Sequence, residues 1–124
     1  MGIEMFWLTT STNEMSAYLL DRLGRTAVAY IARSRSRTLP NRWAAPPGDS
    51  AHAKPSSEEA RRLKIAYEIF RSIEDFDGDQ VARSWLLSAN SRLDSETPVA
   101  LIRRDDYPPV HRAAKAFITD SDGP

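Results

Sequence analysis

The run from Ser56 to Glu74 constrains the fold more than any other part of the chain. Leu63, Ala66, Tyr67, Ile69, Phe70 and Ile73 recur at the three-to-four spacing that gathers apolar side chains on one face of a helix. Arg61, Arg62, Lys64, Glu68 and Arg71 fall on its wet face. Ser56 and Glu59 stand three residues apart, as a capping box requires, so local chemistry fixes where this helix starts. A stripe of this kind must be covered by other elements, and the rest of the sequence offers helices. It has no strand-like alternation of useful length and no internal repeat. The expected fold class is therefore all-α.

Upstream, Met15, Tyr18, Leu19 and Leu23 share helical spacing in a helix starting near Ser11 to Asn13 and ending at Gly24. Thr26 is the expected N-cap of a second helix carrying Val28, Tyr30 and Ile31. Ser34-Arg35-Ser36 interrupts it. A third, short helix starts at Ser36 to Thr38, because Pro40 is tolerated only in a first turn. Leu39 and Trp43 would anchor that helix. Ala45 to Pro55 is a proline-rich loop, and Asp75 to Asp79 breaks the long helix. After a turn at Arg103 to Tyr107, Pro108-Pro109 opens a last helix with Val110, Ala113, Ala114 and Phe117 on one face.

Net charge is zero, with 17 basic and 17 acidic residues, but the charge is unevenly placed. Between Asp21 and Ala45 six arginines face one aspartate, a local charge of +5. From Phe76 onward six basic residues face eight acidic ones, giving −2. The first segment suits a polyanion. Read as a helix-turn-helix, its turn and second helix present Arg33, Arg35, Arg37, Thr38, Asn41 and Arg42 to DNA. Arginine grips guanine bidentately and asparagine grips adenine. The turn lacks the glycine such motifs often carry, and a helical hairpin with a solvated basic face fits the same residues.

Several kinds of chemistry find no residues to support them. The chain has no cysteine, so it has no disulfide, thiolate metal site or cysteine nucleophile. Asp75-Phe-Asp-Gly-Asp79 is a poor calcium loop: glycine falls fourth instead of sixth, and Leu86 stands where glutamate is needed. His52 and His111 lack ligand-spaced companions. None of the five glycines builds a phosphate loop, and no serine sits in a nucleophile motif. No enzyme activity, cofactor or metal is expected. No apolar run reaches membrane-spanning length, and the opening residues lack the basic flank of a secretory signal, so the expectation is a cytoplasmic protein.

The stretch Val81 to Ile102 reads as a helix with Trp85, a turned polar connection with Asn90 and Leu93, and a helix opened by Thr97-Pro98. Thr97 suits the cap and Pro98 the first helical position. Trp85-Leu86, Asn90, Leu93, Thr97-Pro98 and Leu101-Ile102 follow one another in an order that resembles the toxin-binding domain of Xre/MbcA/ParS-type antitoxins. Asp106-Tyr107 and the Val110 helix fit the end of that domain. The likeness runs from about Ala17 to Phe117. Ala89 replaces a frequent proline, Asp94-Ser95 replaces a glycine-containing turn, and the 45–55 loop is long.

The resemblance implies a cytoplasmic antitoxin of a type II pair. Its partner would be a RES-domain, NAD-degrading toxin, bound by an antitoxin that is typically a homodimer. Its N-terminal part would repress its own operon through operator DNA. Residues 1–12 would form an arm including Phe6 and Trp7, 13–55 the helix-turn-helix unit and loop, 56–118 the toxin-binding domain, and 119–124 a tail. Trp85, Asn90, Leu93, Thr97 and Pro98 would be scaffold. The resemblance puts toxin contact on Arg104, Tyr107, His111, Lys115, Phe117, Ile118, Asp120, Asp122 and Pro124. One reading sets the tail's acidic groups in the place of dinucleotide phosphates, and a frayed tail without that role fits the same residues. A stand-alone helix-turn-helix regulator without a toxin, or a helical adaptor, are the competing readings.

Overall fold

In a computed structural model, the described residues are 10–120, and all their regular elements are helical. They are α1 (Thr12–Leu23), α2 (Arg25–Ala32), α3 (Leu39–Ala44), α4 (Ser57–Asp77), α5 (Asp79–Leu87), a 3₁₀ turn (Ser91–Leu93), α6 (Pro98–Arg103) and α7 (Tyr107–Thr119). The chain divides into two units between Lys64 and Ile65, inside α4. The first two turns of the long helix thus belong with α1 to α3.

In the first unit α1, α2 and α3 pack on one another. Met15, Leu19, Leu23, Val28, Ile31 and Trp43 are buried there. Ser11 caps α1 with a complete capping box: its hydroxyl accepts from Glu14 N at 3.0 Å, and its own N–H donates to Glu14 Oε1 at 2.9 Å. Thr26 is not the cap of α2. Gly24, at φ 86°, ends α1 and caps α2, and the helix begins at Arg25. Glycine allows the sharper turn, because a positive φ costs it nothing. Leu39 is half-buried, and the proline beside it, Pro40, joins Trp43 in the core.

The carbonyl ends of α2 and α3 are closed by side chains from elsewhere in this unit. Asn13 Nδ2 donates to the Trp43 and Ala45 carbonyls at 2.8 and 2.7 Å. Arg62, expected on a wet face, is only 4% exposed, and its Nη1 donates to the Ala32 carbonyl at 3.0 Å. The last turn of α2 has no basic residue of its own. A guanidinium at this end satisfies an orphan carbonyl and complements the helix dipole.

The second unit holds the rest of the apolar stripe of α4, from Ala66 to Ile73, as expected. The capping box at Ser56 and Glu59 is present in both directions, at 2.8 and 3.1 Å. The helix runs three residues beyond Glu74, to Asp77, and only Gly78 at φ 92° breaks it. α6 packs on α5 and α7, and α7 packs on the 3₁₀ turn. Trp85, Leu86, Leu93, Val99, Ile102 and Val110 are buried in this unit. No helix is long and apolar enough to cross a membrane among the described residues.

Arg62→Ala removes a charged donor from a buried carbonyl. Urea unfolding should show a loss of about 1.5–3 kcal/mol.

Candidate functional site

Helix α2 ends where Arg33 takes the left-handed conformation, φ 62°, that glycine usually supplies. Arg33 N donates to Tyr30 O, and Ser34 N donates to Ala29 O at 2.9 Å, which closes the helix end. Serine hydroxyls build the rest of the turn: Ser34 Oγ donates to Ser36 O at 2.7 Å, and Thr38 N donates to Ser36 Oγ at 3.1 Å. This polar scaffold stands in for the missing glycine. The connection is six residues long, and α3 has fewer than two turns.

All six residues assigned to DNA are exposed in this unit. Arg35 and Arg37 project from the turn, and Asn41 and Arg42 lie on α3 away from buried Pro40 and Trp43. Arg42 also has a structural task. Its Nε donates to Ala51 O at 3.0 Å and its carbonyl accepts from Ala53 N at 3.1 Å, which holds the proline-rich loop against α3. His52 joins this arrangement, donating from Nδ1 to Ala45 O at 2.9 Å.

In the second unit the connection after α5 is as ordered as its sequence implies. Asn90 Oδ1 accepts from Arg92 N at 2.8 Å, capping the 3₁₀ turn. The Asn90 backbone pairs with Glu96 and also accepts from Leu93 N and Ser95 N. Asp94 and Ser95 carry the turn at φ 56° and 67°. Thr97 Oγ1 accepts from Ala100 N at 3.2 Å, and Pro98 occupies the first turn of α6. Trp85, Leu93 and Pro98 are buried, so their side chains serve packing.

The residues assigned to toxin contact lie on three surfaces. His111, Lys115 and Ile118 line one groove of about 360 Å³, together with Ile69 and Ser72 of α4. Phe117 turns elsewhere. Its ring is 5.9 Å from that of Phe76, edge to face, and 6.3 Å from Trp85. Beside it opens a hollow of about 390 Å³ rimmed by Ser84, Ser88 and Asn90. Arg104 lies on the third surface, lined also by Arg92 and Arg112, and grips both Glu96 carboxylate oxygens at 3.2 and 3.3 Å. Tyr107 donates its hydroxyl to Asp105 at 2.6 Å, fixing the turn before α7. Asp120 meets Arg92 at 3.5 Å. Asp122 and Pro124, like Phe6 and Trp7 of the arm, lie outside the described residues.

Sequence reasoning missed Phe76, Arg92 and Arg112. Phe76 is 45% exposed in an acidic run, and an aromatic ring between two aspartates was its signal. Nearby, the Glu74 carboxyl is pushed above its ordinary range, first by burial and then by Asp75 and Asp79, although Arg71 Nε stands 3.5 Å away. No cluster of three or more metal-ligating side chains occurs among the described residues. Compared with known protein families, curated proteins and solved structures, the chain matches none.

Two measurements check this geometry. Ser95→Gly relieves a left-handed serine and should raise stability by about 0.5–1 kcal/mol, whereas Asn90→Ala should lower it by about 1 kcal/mol. Glu74 titrates with a raised pKa, so its contribution is fully present at low pH and is lost as pH rises through that pKa. Glu74→Gln should therefore match the parent in acid and exceed it in stability at neutral pH, in thermal melts across pH.

Proposed function

We propose that this chain is an antitoxin that holds a RES-domain, NAD-degrading toxin inactive and represses its own operon. The reading rests on the stretch Val81 to Ile102. Its residue order is that of the toxin-binding domain it resembles, and the residues carrying the likeness have coherent structural tasks. Trp85 and Leu93 pack, Asn90 caps the turn, and Thr97-Pro98 start the next helix. Neutralisation in this reading needs no chemistry from the antitoxin. It needs a stable scaffold and an exposed contact surface. His111 and Lys115 are exposed, and Ile118 supplies apolar area in the same groove. The acidic tail from Asp120 onward would reach the basic pocket that a dinucleotide-consuming enzyme needs. Five extended residues span about 17 Å.

The second reading, a DNA-binding regulator with no toxin, is favoured by the exposed Arg35, Arg37 and Asn41 on a turn and short helix held by the hydroxyls of Ser34 and Ser36. The two readings part on the protein partner. Co-expression with the product of the adjacent reading frame should give a co-purifying complex and preserve cellular NAD. DNA binding without any such complex would favour the regulator.

Within the antitoxin reading, deletion of Thr119 to Pro124 should weaken inhibition of NAD breakdown; full inhibition by the truncated chain would remove the tail from the mechanism. Arg37→Ala or Asn41→Ala should cost about 1–3 kcal/mol in operator affinity where the side chain reads a base. Unchanged binding in both variants would move the DNA contact elsewhere.

A further inference from the structure

Among the described residues two large apolar side chains are exposed, and each stands among charges of one sign. Tyr30, 42% exposed, lies in the last turn of α2, directly ahead of exposed Arg33, Arg35 and Arg37. Phe76, 45% exposed, lies near the end of α4 between exposed Asp75 and Asp77, with Asp79 just beyond. The nearest cation following it in sequence is Arg83, one turn after Asp79.

Phe76 is also part of a larger surface. It meets Phe117 edge to face, and Phe117 borders the hollow rimmed by Ser84, Ser88 and Asn90. A two-fold pairing of this face with itself would bring Asp75, Asp77 and Asp79 of both copies together. Like charges at such a contact oppose it. The sequence carries its own complement in the basic segment that follows Tyr30.

We propose that the Phe76–Phe117 face docks the Tyr30–Arg37 segment of a second copy of this chain. The ring of Tyr30 packs on Phe76 and Phe117, and Arg35 and Arg37 lie against Asp75 and Asp77. Aromatic pairs of this kind favour edge-to-face or offset contact, and guanidinium groups add attraction to ring faces. The contact joins two different patches, which either close reciprocally in a dimer or continue into larger assemblies, and in both cases association grows with concentration. The docking does not depend on the antitoxin reading. It shares Arg35 and Arg37 with the DNA surface proposed above.

Sedimentation velocity of the full chain tests this, over a range of concentrations at low salt and at about 0.5 M salt, where charge attraction is screened. Association should rise with concentration and weaken in high salt. Asp75→Lys with Asp77→Lys, and separately Arg35→Glu with Arg37→Glu, should each give monomers with unchanged helical circular dichroism. An equal mixture of the two should associate again, because the first keeps the arginines and the second keeps the aspartates. A full chain that stays monomeric, variants that associate like the parent, or a mixture that stays monomeric would each overturn the proposal. DNA affinity measured on the arginine variant separates the two assignments, since docking and DNA binding can fail independently.

Discussion

The N-terminal unit depends on one guanidinium. Arg62 is buried at the start of the long helix, and its charged N–H group meets the carbonyl of Ala32 at the end of α2. That carbonyl is an orphan of helix geometry, and an unpaired polar group in an apolar setting is costly. A charged donor closes it and opposes the negative end of the helix dipole. The turn that follows α2 is thereby held by a residue thirty positions away. Asn13 does the same for α3, with two carbonyls and one amide group. Both devices leave the residues after the helix end available for the surface.

The surface that results divides its labour among different residues for the most part. Hydroxyl groups of Ser34, Ser36 and Thr38 hold the turn, while Arg35 and Arg37 point outward. In the C-terminal unit the same separation recurs. Asn90, Thr97 and Tyr107 spend their polar atoms on backbone or neighbouring side chains, and His111 and Lys115 remain on the exposed face of α7. Arg42, Arg104 and Tyr107 cross this division, since each also makes a structural hydrogen bond.

Much of the candidate site was legible because it depends on local chemistry. The exposed arginines follow from a charge run, the ordered connection at Asn90 from its polar residues, and the cap at Thr97 from residue type and position. The grouping of the residues assigned to toxin contact was not legible. His111, Phe117 and Arg104 are close in sequence yet face three surfaces, because rotation around α7 and the packing of α6 separate them. Phe76 escaped notice for a similar reason. Its acidic neighbours make it look like turn material, whereas the helix continues through it and sets its ring against Phe117.

The sequence by itself determined the all-helical class, the start of α1 near Ser11, the capping box at Ser56, the stripe of α4 and the Thr97-Pro98 start of α6. These depend on spacing and on groups within four residues of one another. Tertiary structure decided that Arg62 is interior, that Gly24 and not Thr26 separates α1 from α2, and that the long helix ends only at Gly78. In each case the deciding factor is a partner or a turn that periodicity does not encode. It also placed His111, Lys115 and Phe76 on the surface, while Trp85, Leu93 and Pro98 of the Val81 to Ile102 stretch are buried.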